Sequence, residues 1–305
     1  MPAPQIAFRT PATATSWQRW AVFSPFGRFV FFFALFFVLI KLTSVTIGAL
    51  GLTGHGVPPL SHAIGVLAMQ LIPTVVAYTV LVKAIERRRL GEFAAADILR
   101  LGLPGLLLGA VLMSSTVLVL WLAGSYHVTG TDPSVNWLPA VLVAGLGAGI
   151  GEEIFTRGAL FRIIEEGMGT WWALAISALV FGASHIFNPG ATPWSSLAIA
   201  IEAGVLLAAV YLVTRSLWPC IGLHAAWNIM QGSVYGIPVS GTDTKGWLVS
   251  SRTGPDWLSG GVFGAEASVV ALTLCSACSV LLLIVAVRRG AIVPPFWKRN
   301  RASAG

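Results

Sequence analysis

The chain has 305 residues, of which 56% are hydrophobic and only 10% are charged, and its mean hydropathy is +0.81. Soluble domains carry about a quarter charged residues, so this composition excludes an ordinary soluble protein and indicates a membrane protein. The 19 Lys and Arg residues exceed the 12 Asp and Glu residues, giving a net charge of +7. These basic residues cluster at the ends of apolar segments, which the positive-inside rule expects and which argues against nucleic-acid binding.

The apolar segments predict an all-α membrane protein in which residues 1–305 form one polytopic domain. The first 26 residues lack the compact apolar stretch and cleavage site of a signal peptide, so the first long apolar segment should remain as an anchor. About 20 apolar residues cross a bilayer as a helix, and the chain offers about eight such segments. In chain order, the predicted spans are 29–50, 61–85, 101–124, 137–164, 171–187, 194–214, 218–235 and 265–287.

The Lys and Arg residues alternate between the two sets of loops. The long loop 232–264, which holds Lys245 and Arg252, is the exception, and long loops count less in the rule. The alternation places both termini on the cytoplasmic side of the cell membrane and makes residues 290–305 a basic cytoplasmic tail. Some of the basic residues could also meet anionic lipid head groups.

Five polar residues interrupt the apolar segments: Glu152, Glu153, His185, His224 and Asn228. They occur in the spacings E-E-x-x-x-R, F-x-x-x-H and H-x-x-x-N. Ionisable groups inside a bilayer are expensive, so such residues indicate a functional site.

The first spacing predicts different roles for the two glutamates. Glu153 and Arg157 are four residues apart, so on a helix they share a face and can form an ion pair. Glu152 points about 100° away and has no such partner, and a desolvated, unpaired carboxylate has a raised pKa and suits a general base. The alternative is that both acids lie solvated at the membrane interface.

The second spacing places His185 beside Glu152. With a turn at residues 167–170, Glu152 lies 14 residues before the turn and His185 15 residues after it. At about 1.5 Å per residue, an antiparallel helix pair brings the two side chains to the same depth. Phe181, one turn before His185, would either line the same pocket or pack against lipid and core.

The third spacing puts His224 and Asn228 on one helix face. An Asn can orient an imidazole or donate to a developing oxyanion. Because His224 lies only a few residues into its span, either that helix begins inside the membrane or the depth of Glu152 is overstated. Glu202, a lone acid in the preceding span, could line the cavity without taking part in catalysis.

The sequence has neither an H-E-x-x-H motif nor a G-x-S-x-G motif, so the usual zincin and serine-hydrolase arrangements are excluded. The remaining Glu, His and Asn side chains can activate water directly or on a metal. A zinc ion would find a three-ligand set in Glu152, His185 and His224.

These motifs resemble those of the CPBP (CAAX protease and bacteriocin-processing, or Abi) family of intramembrane proteases. The matching residues are EEIFTR at 152–157, FGASH at 181–185 and HAAWN at 224–228, and the resemblance covers a catalytic core at 137–231. It implies eight helices and a cavity open to the cytosolic side. It also implies an endopeptidase, of metalloprotease or glutamate-peptidase type, that cuts a peptide or membrane-associated protein near the cytoplasmic face.

By the same resemblance, Glu152 activates the water with His185 beside it, and His224 and Asn228 hold that water or stabilise the oxyanion. Glu153 and Arg157 would brace the site. Two alternatives remain: a proton- or ion-coupled transporter, which should show an inverted repeat, and a non-catalytic bacteriocin-immunity scaffold.

Overall fold

The computed structural model describes residues 7–302, so the ends of the chain, including the last three residues of the predicted tail, lie outside the described residues. The described part is mainly helical, with one two-stranded sheet. Its helices are α1 (Ser16–Ala21), α2 (Pro25–Ala49), α3 (Pro59–Ile85), α4 (Ile98–Leu122), α5 (Trp137–Met168), α6 (Thr170–Phe187), α7 (Pro193–Thr214), α8 (Trp218–Ile229, continued by the π-helical turn Met230–Val234), α9 (Asp256–Ser259), α10 (Val269–Arg288) and α11 (Phe296–Ala302).

Seven of these helices, α2 to α7 and α10, are long and apolar enough to cross a membrane. The predicted all-α membrane fold is therefore confirmed, with about eight spans if the shorter α8 is included. The last predicted span begins later than expected, because Ser268 caps α10 by accepting a hydrogen bond from the Ala271 N–H. Residues Ala265–Ala267 form a separate 3₁₀ turn before it.

The α5–α6 hairpin sets the depth of the first two motifs. Gly169 joins the two helices with φ of +85°, a conformation that favours glycine, and its backbone packs tightly against Val293 and Pro295. The helices then run antiparallel from this turn. As a result, residues at equal distances from Gly169 lie at similar depth.

Helix α8 begins level with Gly158 of α5 and with Gly102 in the first turn of α4. A Cβ atom placed on Gly158 would lie 3.3 Å from the Leu217 side chain, so the start of α8 is level with Gly158. Gly158 is ten residues, or about 15 Å, from the end of α5. Helix α5 therefore continues about 15 Å past the start of α8, and the depths of Glu152 and His224 in a membrane stay predictions.

Close packing against α4 holds α8 in this position. A Cβ atom on Gly105 would lie 2.2 Å from the Pro219 carbonyl oxygen, and one on Gly109 would lie 2.2 Å from that of Leu223. Only glycine permits such an approach of two helix backbones. The contact places His224, the residue after Leu223, in the centre of the bundle.

The segment predicted as a long loop is partly structured. Strand β1 (Tyr126–Thr131) pairs antiparallel with β2 (Leu248–Arg252), and the Tyr126 hydroxyl donates to the Tyr235 carbonyl at 2.9 Å. The Asn188 side chain also donates to the Ser240 carbonyl at 3.0 Å. These contacts gather the loops after α4, α6 and α8 at one end of the bundle, opposite the basic residues.

The other end, which we call the basic end, carries a network of buried ion pairs. Glu86 accepts hydrogen bonds from Arg28 and Arg162 at 2.8 Å and from Arg88 at 2.7 Å. Burial alone would raise the pKa of Glu86, but these three guanidinium groups outweigh it and hold the pKa below its usual value. The network ties together the ends of α2, α3 and α5.

The orientation of these two ends can be tested by cysteine labelling of intact cells. If both termini are cytoplasmic, Thr242→Cys should react with a membrane-impermeant maleimide added outside. Thr242 is exposed at the end of the bundle that carries strands β1 and β2. Arg87→Cys, exposed at the basic end, should react only after permeabilisation. The unchanged chain gives the background of its native cysteines, and the reversed labelling pattern would contradict the predicted orientation.

Candidate active site

The buried core of the site is an ion pair between Glu153 and Arg157. Both side chains are fully buried, and Arg157 Nη1 donates to Glu153 Oε1 at 2.9 Å. The other end of the guanidinium donates to the Ala203 and Gly204 carbonyls of α7. The ion pair expected from the i, i+4 spacing is therefore present, and it fastens α5 to α7.

His224 joins this pair from α8. Its Nδ1 lies 2.9 Å from Glu153 Oε1, so the carboxylate accepts the imidazole N–H. The Phe181 ring lies between this imidazole and Arg157, with its centroid 6.1 Å from the His224 ring and 4.7 Å from the Arg157 guanidinium. Phe181 thus lines the site, which was one of its two expected positions.

Glu152 faces His185, as the depth comparison expected. Its Oε2 lies 4.0 Å from His185 Nε2, and among the described residues this oxygen accepts no hydrogen bond. The side chain of Glu152 is 39% exposed, however, whereas its neighbour Glu153 is 0% exposed. The buried Oε2 agrees with the expected desolvated carboxylate, although the Glu152 side chain as a whole is partly exposed.

The His185 ring is oriented by its own helix. Its Nδ1 lies 2.7 Å from the Phe181 carbonyl oxygen, which accepts the Nδ1 proton and leaves the Nε2 lone pair facing Glu152. The ring also packs on the Phe181 side chain, with 4.8 Å between centroids. The F-x-x-x-H spacing therefore supplies both a hydrogen-bond acceptor and a packing surface for the imidazole.

Asn228 is positioned one turn beyond His224. Its Nδ2 donates one hydrogen to the Ala144 carbonyl of α5 at 2.9 Å. The second amide hydrogen has no partner among the residues that the structure describes. It is available to a ligand in the cavity that Asn228 lines.

A small cavity joins the second and third motifs. Its volume is about 30 Å³, which is sufficient for a water molecule. His185, His224 and Asn228 line it. Glu152 does not line it but lies beside His185. The remaining lining residues are Phe181, Ile199, Glu202, Ala203, Leu206, Leu207, Leu223, Trp227, Ser240 and Glu266.

Two of the polar lining residues were not predicted from the sequence. Ser240 comes from the segment after α8, and Glu266 lies in the 3₁₀ turn before α10, where it is 2% exposed. Burial raises the pKa of the Glu266 carboxyl. Glu266 could have been noticed in the sequence as an acid in an otherwise apolar segment at the end of the Gly-rich loop. Glu202, which was expected to line the cavity, does line it.

The predicted zinc ligands do not form one site. Among residues 7–302, no group of three or more His, Cys, Asp or Glu side chains is arranged to hold a metal ion. Glu152 approaches His185, whereas Nδ1 of His224 contacts Glu153. The residues therefore do not fit the predicted metal site, which leaves the chemistry to the side chains.

Comparison with known families agrees with the motif resemblance. Residues 134–230 match the family described as type II CAAX prenyl endopeptidase Rce1-like. Among curated proteins, none matches the chain. The matched segment contains all the candidate site residues from Glu152 to Asn228, and the match supports a CAAX-type intramembrane endopeptidase in general. The core formed by α5 to α8 is thus similar to the Rce1-like family, which confirms the kind of protein that the three motifs indicated.

Proposed function

We propose that this protein is an intramembrane endopeptidase in which Glu152 activates the attacking water. The observation that carries the proposal is the approach of Glu152 Oε2 to His185 Nε2, at 4.0 Å, beside a cavity lined by His224 and Asn228. Two acceptors at this separation leave room for one bridging water that donates a hydrogen bond to each. A general base must lie within such reach of the proton that it abstracts.

The proposed reaction uses these groups in order. Glu152 takes a proton from the water, and the water oxygen attacks the carbonyl carbon of the scissile peptide bond. Asn228 donates its free amide hydrogen to the resulting oxyanion. The C–N bond then breaks as the proton held by Glu152 passes to the leaving amine, giving a new carboxyl group and a new amino terminus.

His224 is proposed to assist at the oxyanion. Its Nδ1–H donates to Glu153, so its Nε2 is the nitrogen left for the substrate. The Glu153 carboxylate stabilises the imidazolium form, which can donate from Nε2. Arg157 pairs with Glu153 and holds it in place, so the Glu153–Arg157 pair braces the site without contacting the substrate.

The side from which the substrate enters is also part of the proposal. The resemblance implies cleavage near the cytoplasmic membrane face, and part of the Glu152 side chain is exposed, although its Oε2 is buried. Ser240 and Glu266 cover the cavity from the opposite end of the bundle. A peptide or a membrane-associated protein that approaches past Glu152 would therefore avoid these two residues.

The experiment that tests the proposal is comparative peptidomics of cells producing the wild type or Glu152→Gln. The proposal expects peptides with new termini in the wild type only, at equal protein levels. If the two strains give the same peptides, the endopeptidase proposal fails. Measuring ion and proton flux with the purified protein in liposomes separates the transporter alternative, which expects flux without cleavage.

A chelator experiment tests whether the side chains suffice. Because no three His, Cys, Asp or Glu side chains among residues 7–302 are arranged to hold a metal ion, we expect cleavage to keep its rate after dialysis against EDTA. A zinc endopeptidase treated in parallel should lose its activity and serves as the control. Loss of cleavage that added zinc restores would contradict the metal-free mechanism.

A further inference from the structure

A large hollow opens at the basic end, away from the candidate active site. It arises because α5 continues about 15 Å past the start of α8, which leaves the space below α8 to neighbouring segments. We call this space the basic hollow; its volume is about 620 Å³. Its lining comes from four segments of the chain, at residues 88–92, 162–166, 211–215 and 289–293, together with Ala7.

The basic hollow carries an excess of positive charge. Five arginines and three glutamates line it, which leaves two more positive than negative charges. Among the described residues, Arg89 and Arg289 form no ion pair, and both are exposed at the rim. The lining arginines are Arg88, Arg89, Arg162, Arg215 and Arg289, and the glutamates are Glu92, Glu165 and Glu166.

One buried donor in the lining lacks an acceptor. The Arg162 side chain is 3% exposed, its Nη1 donates to Glu86 at 2.8 Å, and its Nε donates to the Gly158 carbonyl at 2.9 Å. Its Nη2 has no hydrogen-bond partner in the described structure. Buried donors are rarely left unpaired, so an additional acceptor is expected at this place.

An apolar cavity lies next to the basic hollow and shares Glu166 with it. Its volume is about 610 Å³, and its walls are almost entirely apolar. Trp20 is one of its residues, and Trp side chains favour the membrane interface. The other lining residues are Phe8, Ser24, Pro25, Phe26, Phe29, Ile163, Ile164, Gly167, Met168, Phe296 and Arg299.

We propose that the basic hollow binds the phosphate of an anionic phospholipid, with an acyl chain of the same molecule in the apolar cavity. Guanidinium groups suit phosphate oxygens because they present several N–H donors in one plane. The basic end is also the end predicted to face the cytoplasm, where anionic lipids give the membrane surface a negative potential. A soluble phosphate compound would leave the apolar cavity without a ligand.

The test is native mass spectrometry of the full-length protein in detergent, titrated with phosphatidylglycerol or phosphatidylcholine. We expect preferential binding of phosphatidylglycerol, and about a hundredfold weaker binding in the double variant Arg89→Gln/Arg289→Gln, since each of the two charged hydrogen bonds is worth roughly tenfold. The matched control is Arg87→Gln/Arg288→Gln. Arg87 and Arg288 are also exposed and lie beside the rim residues but do not line the hollow, so the control removes the same charge.

Three results would overturn the proposal. Equal loss in the two double variants would indicate attraction by net charge alone, and no loss in either would remove the rim arginines from the binding site. Binding of glycerol 3-phosphate as tight as that of phosphatidylglycerol would indicate a soluble ligand. None of these measurements depends on peptidase activity, so they leave the proposed function untouched.

Discussion

Replacing Glu152 with Gln is expected to lower kcat for peptide cleavage by about 10³-fold, the range typical of a lost general base. The amide cannot accept the proton of the attacking water, although it keeps the size of the side chain. Because Glu152 is 39% exposed and has no arginine partner, folding should be unaffected. Cleavage of a substrate identified by peptidomics, measured together with the melting temperature, checks both expectations.

The adjacent residue provides the matched control. Glu153→Gln makes the same chemical change one position away, but it leaves Arg157 buried without its carboxylate. We expect this variant to have a lower melting temperature than the wild type, whereas Glu152→Gln should melt at the same temperature as the wild type. If both variants keep their stability and lose cleavage equally, the separation into a base and a brace is wrong.

The largest effect on stability is expected from Arg157→Met. Met fills much of the same volume, but the change leaves the fully buried Glu153 without its cation and frees the Ala203 and Gly204 carbonyls. Removing one partner of a buried ion pair typically costs about 3–5 kcal/mol. Chemical denaturation in detergent micelles, read from the helical circular dichroism signal, measures the change in the free energy of unfolding.

A double variant identifies the cause of that loss. Arg157→Met combined with Glu153→Gln removes both charges, so it should be more stable than Arg157→Met alone. If the double variant is less stable than either single variant, the cost comes from lost packing. In that case the ion pair does not dominate the stability of this region.

Much of this arrangement could be predicted from helix geometry. The i, i+4 spacing gave the Glu153–Arg157 pair, and counting residues from the turn placed Glu152 beside His185, because both rules depend only on the regular rise and twist of a helix. The spans were predictable for the same kind of reason. Length and hydropathy determine which segments can cross a bilayer.

The partner of His224 could not be predicted in this way. Its contact with Glu153 depends on the position of α8 along α5, which follows from glycine-mediated packing between α4 and α8. Hydropathy carries no information on such packing. The contributions of Ser240 and Glu266 depend on the path of an irregular segment, which no helical or strand period describes.

The central claim is that Glu152 directs water to a peptide bond, and isotope incorporation tests it most directly. Purified wild type and Glu152→Gln, in liposomes with a substrate from the peptidomic comparison, are incubated in water enriched in ¹⁸O. The products are then analysed by mass spectrometry. The account predicts one ¹⁸O atom in the new carboxyl terminus with the wild type, and product formation about 10³-fold slower with Glu152→Gln. Labelled product formed at equal rates by both proteins would contradict it.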